Sequence, residues 1–158
     1  MNINIRPLAR RDKTATMRII RTTPEFDEMD KVIAEELIDA YLTDGIDSGY
    51  HIYVAVADDR LSGYICYGPT PLTEGTWDLY WVAVTRAKHG LGIGTALLAA
   101  AEANIKKAKG RMILVETESH SSYRNTRQFY VKRGYAAICE IPDFYRVGHG
   151  KLIYQKLL

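Results

Sequence analysis

The stretch Val82-Ala83-Val84-Thr85-Arg86-Ala87-Lys88-His89-Gly90-Leu91-Gly92-Ile93-Gly94-Thr95-Ala96-Leu97 decides how this chain folds. An apolar run ends at Val84 and three alternating glycines follow. An alanine-rich segment then opens a helix that the spacing predicts over about residues 92–108, stopped at Gly110. Strand patterns flank it at residues 77–84 and 112–117, which makes residues 77–117 a βαβ unit. The unpaired N–H groups and positive dipole end of a helix start form an anion site, and glycines let the backbone come close with φ > 0. Pyrophosphate is the expected guest. The Rossmann spacing fails, because Thr95 or Leu97 stands where its last glycine is needed, and no Gly-Lys-Ser/Thr follows for a P-loop. A glycine turn alone also serves tight strand–helix packing, so the ligand must be argued from more than this segment.

Outward from the turn, Ile3 and Ile5 before Pro7 predict an opening strand, and residues 13–22 a helix. Pro24 is a first-turn residue for a second helix carrying Phe26, Met29, Val32, Ile33, Leu37 and Tyr41 at three-to-four spacing, broken at Thr43-Asp44-Gly45. Residues 50–57 and 61–67 flank Asp58-Asp59-Arg60 as a hairpin. Residues 125–132 predict a short helix stopped at Gly134, and residues 136–141 and 151–157 two closing strands. The order β-α-α-β-β-β-α-β-α-β-β describes an α/β protein with a mixed sheet, and with no repeat or linker residues 1–158 form a single domain.

At 158 residues, with 47% hydrophobic and 25% charged residues, the chain has the composition of a globular domain with a proper core. A net charge of +2 argues against a nucleic-acid partner, which asks for a concentrated basic face. The longest apolar run, residues 96–101, is far short of a membrane span, and the N-terminus has no apolar core of a secretory signal. A cytoplasmic protein without a membrane partner is the expectation. Cys66 and Cys139 lie in apolar stretches without CxxC or Cys/His spacing, so they read as buried small hydrophobes rather than a disulfide or metal site. Eleven tyrosines against three phenylalanines suggest a polar-lined cleft.

His89-Gly90-Leu91-Gly92-Ile93-Gly94 resembles the Q/R-x-x-G-x-G/A signature of the GNAT N-acetyltransferases, and Asn125-Thr126-Arg127-Gln128-Phe129-Tyr130-Val131-Lys132-Arg133-Gly134-Tyr135 is similar to that family's N…A..FYxxxGF helix. The two motifs stand in the family's order with a strand between them, and the element order matches over nearly the whole chain. The resemblance implies a strongly twisted mixed sheet of about seven strands flanked by about four helices. It also implies acetyl-CoA as co-substrate, held by Val82, Ala83 and Val84 along the pantetheine arm and by His89, Gly90, Leu91, Gly92, Ile93, Gly94, Thr95 and Asn125. His89 departs from the family's Arg or Gln. Histidine changes charge near pH 6.5 as a residue type, so cofactor affinity becomes pH-dependent in this reading. As an isolated residue, Asn125 is also a helix N-cap.

Acetylating an amine requires a neutral nucleophile, donors for the developing oxyanion and a proton for the departing thiolate. Strand alternation puts Asp78, Tyr80, Val82 and Val84 on one face. Asp78 matches the position where some GNAT members carry a glutamate base, and being shorter it calls for a bridging water. Glu116 and Glu118 are its rivals. Glu118 is the better placed of the two, near the carboxyl end of its strand, where ligands of open α/β sheets sit. The resemblance makes Tyr130 the acid facing the thioester sulfur and the Val82 N–H the oxyanion donor. On the acceptor side, Glu118, Tyr80 and Tyr41 are substrate candidates. Tyr50 and Asp143-Phe144-Tyr145 are candidate pocket residues, and an acidic run including Glu28, Asp30, Glu35 and Asp39 attracts a cation. The reading is acetyl transfer to a small-molecule or protein amine by a monomer or homodimer. A CoA-binding sensor with little catalysis is the alternative.

Overall fold

These patterns become seven strands and four helices in a computed structural model that describes residues 1–158. In chain order they are β1 Ile3–Pro7, α1 Lys13–Thr22, α2 Glu28–Asp44, β2 His51–Ala57, β3 Arg60–Pro69, β4 Thr76–Val84, α3 Ile93–Lys107, β5 Met112–Glu118, α4 Arg124–Lys132, β6 Ala136–Arg146 and β7 His149–Leu157. The strands form one mixed sheet in the order β1-β2-β3-β4-β5-β7-β6. β4 and β5 run parallel, and the pairs β1–β2, β2–β3, β5–β7 and β6–β7 are antiparallel. No helix is long and apolar enough to cross a membrane. The chain divides into two compact units, Met1–Gly68 with Trp81–Ile105 and Pro69–Tyr80 with Lys106–Leu158.

In the first unit β2 and β3 join through Asp58 and Asp59 at φ 50° and 61°, the two left-handed residues of a type I′ hairpin turn. Residues 62–68 of β3 are buried without interruption, as in a strand covered on both faces. Gly63 lets α3 settle there. A Cβ at that position would lie 3.0 Å from the Ala83 carbonyl oxygen and 3.1–3.2 Å from side-chain carbons of Leu97 and Ile93. Ile93, Leu97, Leu98, Ala101 and Ile105 form the buried stripe of α3.

The second helix departs from expectation at its start and in its phase. Pro24 lies in a turn, and Asp27 caps α2: its carboxylate accepts from the Asp30 N–H at 2.7 Å while Asp30 accepts from the Asp27 N–H at 3.0 Å. Two orphan donors are satisfied reciprocally, which fixes the helix start more firmly than a proline can. The buried face then falls on Ala34 and Ile38, with Phe26 buried just ahead, whereas Met29, Val32 and Ile33 are exposed. Because α2 carries apolar residues on two sides, its sequence admits both phases.

Asp12, between β1 and α1, is buried and held by Arg6 through two hydrogen bonds of 2.6 and 2.9 Å, with a third from the Ala9 N–H at 2.8 Å. The Arg6 guanidinium keeps the Asp12 carboxyl below the usual carboxylate range. A depressed folded-state pKa gives stability that is present above the unfolded value near 3.9 and is lost as pH falls through the folded one. Asp12→Asn therefore costs about 2–3 kcal/mol at neutral pH, from the loss of charged hydrogen bonds in a buried setting. In urea melts the gap from wild type narrows below about pH 4.

In the second unit β5 is central. Asp78 of β4 lies beside Leu114 of β5, and Glu118 at the end of β5 lies opposite Lys151 of β7. Trp77, Leu79, Ile113, Val115, Tyr130, Tyr135 and Tyr154 are its buried apolar residues. The closing hairpin is longer than expected, turning only at Val147-Gly148. Asp143 supports it with φ 56° and a carboxylate that accepts from the Gly148 N–H at 2.8 Å. Every residue of β6 is exposed, so Cys139 is a surface thiol and not the buried hydrophobe expected from its neighbours; Cys66 is buried. An edge strand has no second neighbour to cover it, and one strand's sequence does not reveal its place in the sheet.

Candidate active site

After β4 the chain makes a 3₁₀ turn, Arg86–Lys88, and enters the glycine segment. His89 Nε2 is 2.8 Å from the Val84 carbonyl oxygen. A carbonyl only accepts, so this nitrogen carries the proton, and the ring ties the turn to the strand end. Lys88 fixes the other side through an ion pair of 2.9 Å with Asp58. Gly90 and Gly92 have φ of 76° and 83°, the left-handed region, whereas Gly94 is a helical residue in the first turn of α3. The Gly92 carbonyl accepts the first bond of α3, from the Ala96 N–H at 2.9 Å. Position 92 thus precedes the helix as a cap without a side chain. Gly92 brings no capping side chain of its own, in contrast to Asp27 at α2, and this suits an anion. Ile93 is buried and Leu91 exposed. Ala83 is buried, with Val82 and Val84 half-buried on the opposite face of β4.

In the second unit, the carboxyl end of β5 gathers a cluster of polar side chains. Glu118 Oε2 is 2.9 Å from His149 Nδ1 at the start of β7, each side chain only 14% exposed. The His149 ring stacks on His120, with centroids 4.1 Å apart and planes 8° from parallel. His120 Nδ1 accepts from the Ser122 N–H at 3.2 Å and lies 2.8 Å from the Ser122 hydroxyl. Arg127 of α4 clamps the backbone, donating to the carbonyls of Glu118 at 2.8 Å and His120 at 2.7 Å. Gly150 admits the close join between β7 and this segment. Its N–H donates to Ser119 Oγ and its carbonyl accepts from the Ser119 N–H, both at 2.9 Å.

The structure places the other expected residues as follows. Asp78 is half-buried and accepts from the Thr70 hydroxyl at 2.7 Å; Tyr80 is half-buried on the same face. Asp78 sits level with Leu114, four residues before Glu118 and so about 13 Å back along β5. The two candidate carboxylates are not brought together. Glu116 is exposed and paired with Lys151 at 2.8 Å. Tyr130 is 5% exposed and packs edge-on against Phe129 and Tyr135, with centroids 5.2 and 5.5 Å away. Asn125 is not the N-cap: the backbone enters α4 from a 3₁₀ turn, Ser121–Tyr123, so Tyr123 takes that place and Asn125 is the helix's exposed second residue.

In the first unit Tyr41 is half-buried, and burial, with Tyr53 nearby, pushes its phenol up. The neighbouring rings were not singled out by sequence: His51 stacks on Tyr67 at 5.2 Å, Tyr53 lies 6.3 Å from Tyr67, and Asn104 donates to the Tyr67 hydroxyl at 3.1 Å. Burial pushes the Tyr67 phenol up to about 12 and draws the His51 ring down. The acidic run is partly committed to structure, since Glu35 and Asp39 face Lys13 at 3.4 and 2.6 Å and Glu28 pairs with Lys31 at 2.8 Å.

Residues 48–137 match the model of the GNAT acetyltransferase domain. The chain belongs to the GNAT acetyltransferase family. A protein described as a GNAT-family acetyltransferase from Desulfovibrio desulfuricans has a crystal structure 38% identical to this chain, covering 99% of each, with a TM-score of 0.95. An aminoglycoside 6'-N-acetyltransferase complexed with coenzyme A shares the fold at 18% identity, covering 98% of this chain and 96% of that one, TM-score 0.78. So does the PaiA N-acetyltransferase of Thermoplasma acidophilum in complex with coenzyme A, at 19% identity over the full length of both, TM-score 0.78. No curated protein matches the sequence.

Within this GNAT chain, sequence reasoning missed His120, Arg127 and His149. The first two were in plain view: His120 stands two residues past Glu118, and Arg127 lies inside the α4 motif. His149 is 31 positions from Glu118 in sequence, and only the antiparallel register of β5 with β7 brings it close.

Proposed function

We propose that this GNAT chain moves an acetyl group from acetyl-CoA to a primary amine by direct transfer in a ternary complex. The glycine turn carries the reading: two left-handed glycines lead into a helix preceded by Gly92, which has no side chain, so the backbone can come close to a pyrophosphate. Acetyl-CoA supplies an activated acyl group. The chain's own part is to hold the phosphates at Gly90–Thr95 and the pantetheine arm along Val82, Ala83 and Val84, with Asn125 as a further contact. Asp78 or Glu118 drives loss of the ammonium proton, and Tyr130 hydrogen-bonds the departing thiolate. Tyr41 and Tyr80 are the proposed acceptor-side residues.

The acceptor is an amine, small or on a protein. Family members of the same fold are described as acting on aminoglycosides and, in Brucella melitensis, on a ribosomal-protein alanine. Thiol release from acetyl-CoA over a panel holding a polyamine, an aminoglycoside, an amino-acid ester and an alanine-terminated peptide tests the reading. Amine-dependent release supports it. Tight CoA binding with no release on any amine supports the sensor alternative.

A further inference from the structure

We infer that His149 is the proton acceptor for the incoming ammonium group, with Glu118 as the residue that positions it. The inference deepens the acetyl-transfer reading and rests on it. Three features of the β5 end carry it. First, the Glu118 carboxylate only accepts, so His149 Nδ1, at 2.9 Å, must carry a proton. In the neutral ring this leaves the lone pair on Nε2, and Nε2 makes no hydrogen bond within the chain. The carboxylate thus selects the tautomer that a base needs, the orienting role of the third member of a nucleophile–base–carboxylate chain.

Second, the ring cannot swing away. His120 lies flat against it at 4.1 Å and is itself pinned, its Nδ1 accepting from the Ser122 N–H, while Arg127 holds the carbonyls of Glu118 and His120. Third, the group stands at the carboxyl end of a sheet strand, where open α/β sheets take their ligands, on the segment that leads directly into the α4 motif with Asn125 and Tyr130. Neither Asp78 nor Glu116 has such an arrangement. One is bonded to a hydroxyl and the other is paired with Lys151.

The step balances as follows. His149 Nε2 takes one proton from R–NH₃⁺ and becomes imidazolium beside the Glu118 carboxylate. The amine lone pair forms the C–N bond at the thioester carbonyl carbon, and the C–S bond breaks with its electron pair on sulfur. The second nitrogen proton ends on the thiol, and the imidazolium returns its proton to water. The groups that bear on the ring's charge are Glu118 of β5, His120 on the segment that follows it, Arg127 of α4, and Arg146 of β6, opposite His149 in register.

The test is kcat/KM against pH from 5.5 to 10, using whichever amine of the panel turns over fastest. His149→Gln is expected to lose about 100-fold at pH 7, a typical general-base contribution. The gap should close towards pH 10, where solution supplies neutral amine without help. Glu118→Gln, a smaller change, should move the acidic limb of the profile and lose about tenfold. Melting temperature and CoA affinity in each variant verify the fold. A His149→Gln enzyme within about threefold of wild type at pH 7, or weaker by one constant factor at every pH, overturns the assignment while leaving acetyl transfer standing. Wild-type protein that acetylates no amine overturns the acetyl-transfer reading itself, and this assignment with it.

Discussion

Tyr130→Phe lowers kcat for acetyl transfer by about 100-fold or more and leaves CoA affinity within about twofold, the pattern of a group used only as charge develops on sulfur. Phenylalanine keeps the ring, and with it the edge-on packing on Phe129 and Tyr135, so the variant's melting temperature stays close to wild type. Only the hydroxyl is removed. Burial pushes the Tyr130 phenol well above its usual value near 10. The sign of that shift matters. A raised pKa keeps the O–H in place at every pH at which an amine is acetylated, so this tyrosine produces no alkaline limb in kcat up to about pH 10. It also means that the phenol stabilises the thiolate as a hydrogen-bond donor more readily than by giving its proton up outright. Steady-state kinetics with a CoA titration by calorimetry measures both halves. Turnover within about threefold of wild type removes Tyr130 from the chemistry, and a matching loss in CoA affinity makes it a binding residue instead.

The parts of the fold that were legible in sequence are those set by neighbours in the chain. The Asp58-Asp59 turn, the glycine segment and the apolar stripe of α3 each fit within a few residues, and each folds as its local chemistry dictates. The errors also have one kind of cause. The phase of α2 depends on which side meets a partner, and the start of α4 depends on a 3₁₀ turn in which His120, not Asn125, supplies the cap. That Cys139 faces outward depends on β6 being an edge, a fact about the whole sheet.

The candidate site divides along the same line. Gly90, Gly92 and Tyr130 are readable because their motifs are contiguous. Glu118 is readable as an acidic residue at a strand end, yet its chemistry is not, because the imidazole that gives it a role arrives from β7. Gly63 shows the same limit. Its lack of a side chain lets Ile93 and Leu97 of α3 come close to β3, and nothing in its own neighbourhood of sequence announces that.

Gly92→Val raises the Kd for CoA by about 10–100-fold, while Gly94→Ala changes it by less than about threefold. The two positions differ in backbone. A Cβ at Gly92 meets nothing within 4 Å, so crowding cannot be the reason. With φ at 83°, however, position 92 requires the left-handed region, which a β-branched side chain enters only at a cost of about 1–3 kcal/mol. The turn relieves that strain by rotating, and rotation moves the Gly92 carbonyl away from the Ala96 N–H that begins α3. The first N–H groups of the helix then point elsewhere, and each 1.4 kcal/mol of lost phosphate interaction is a factor of ten in affinity. Gly94 is already helical, so alanine there asks nothing new of the backbone and raises helix propensity. Calorimetric CoA titrations on both variants, alongside circular dichroism to establish that α3 persists, separate the two. If Gly92→Val binds CoA as wild type does, the left-handed turn is a packing device for β4 and α3, and the phosphates are held elsewhere.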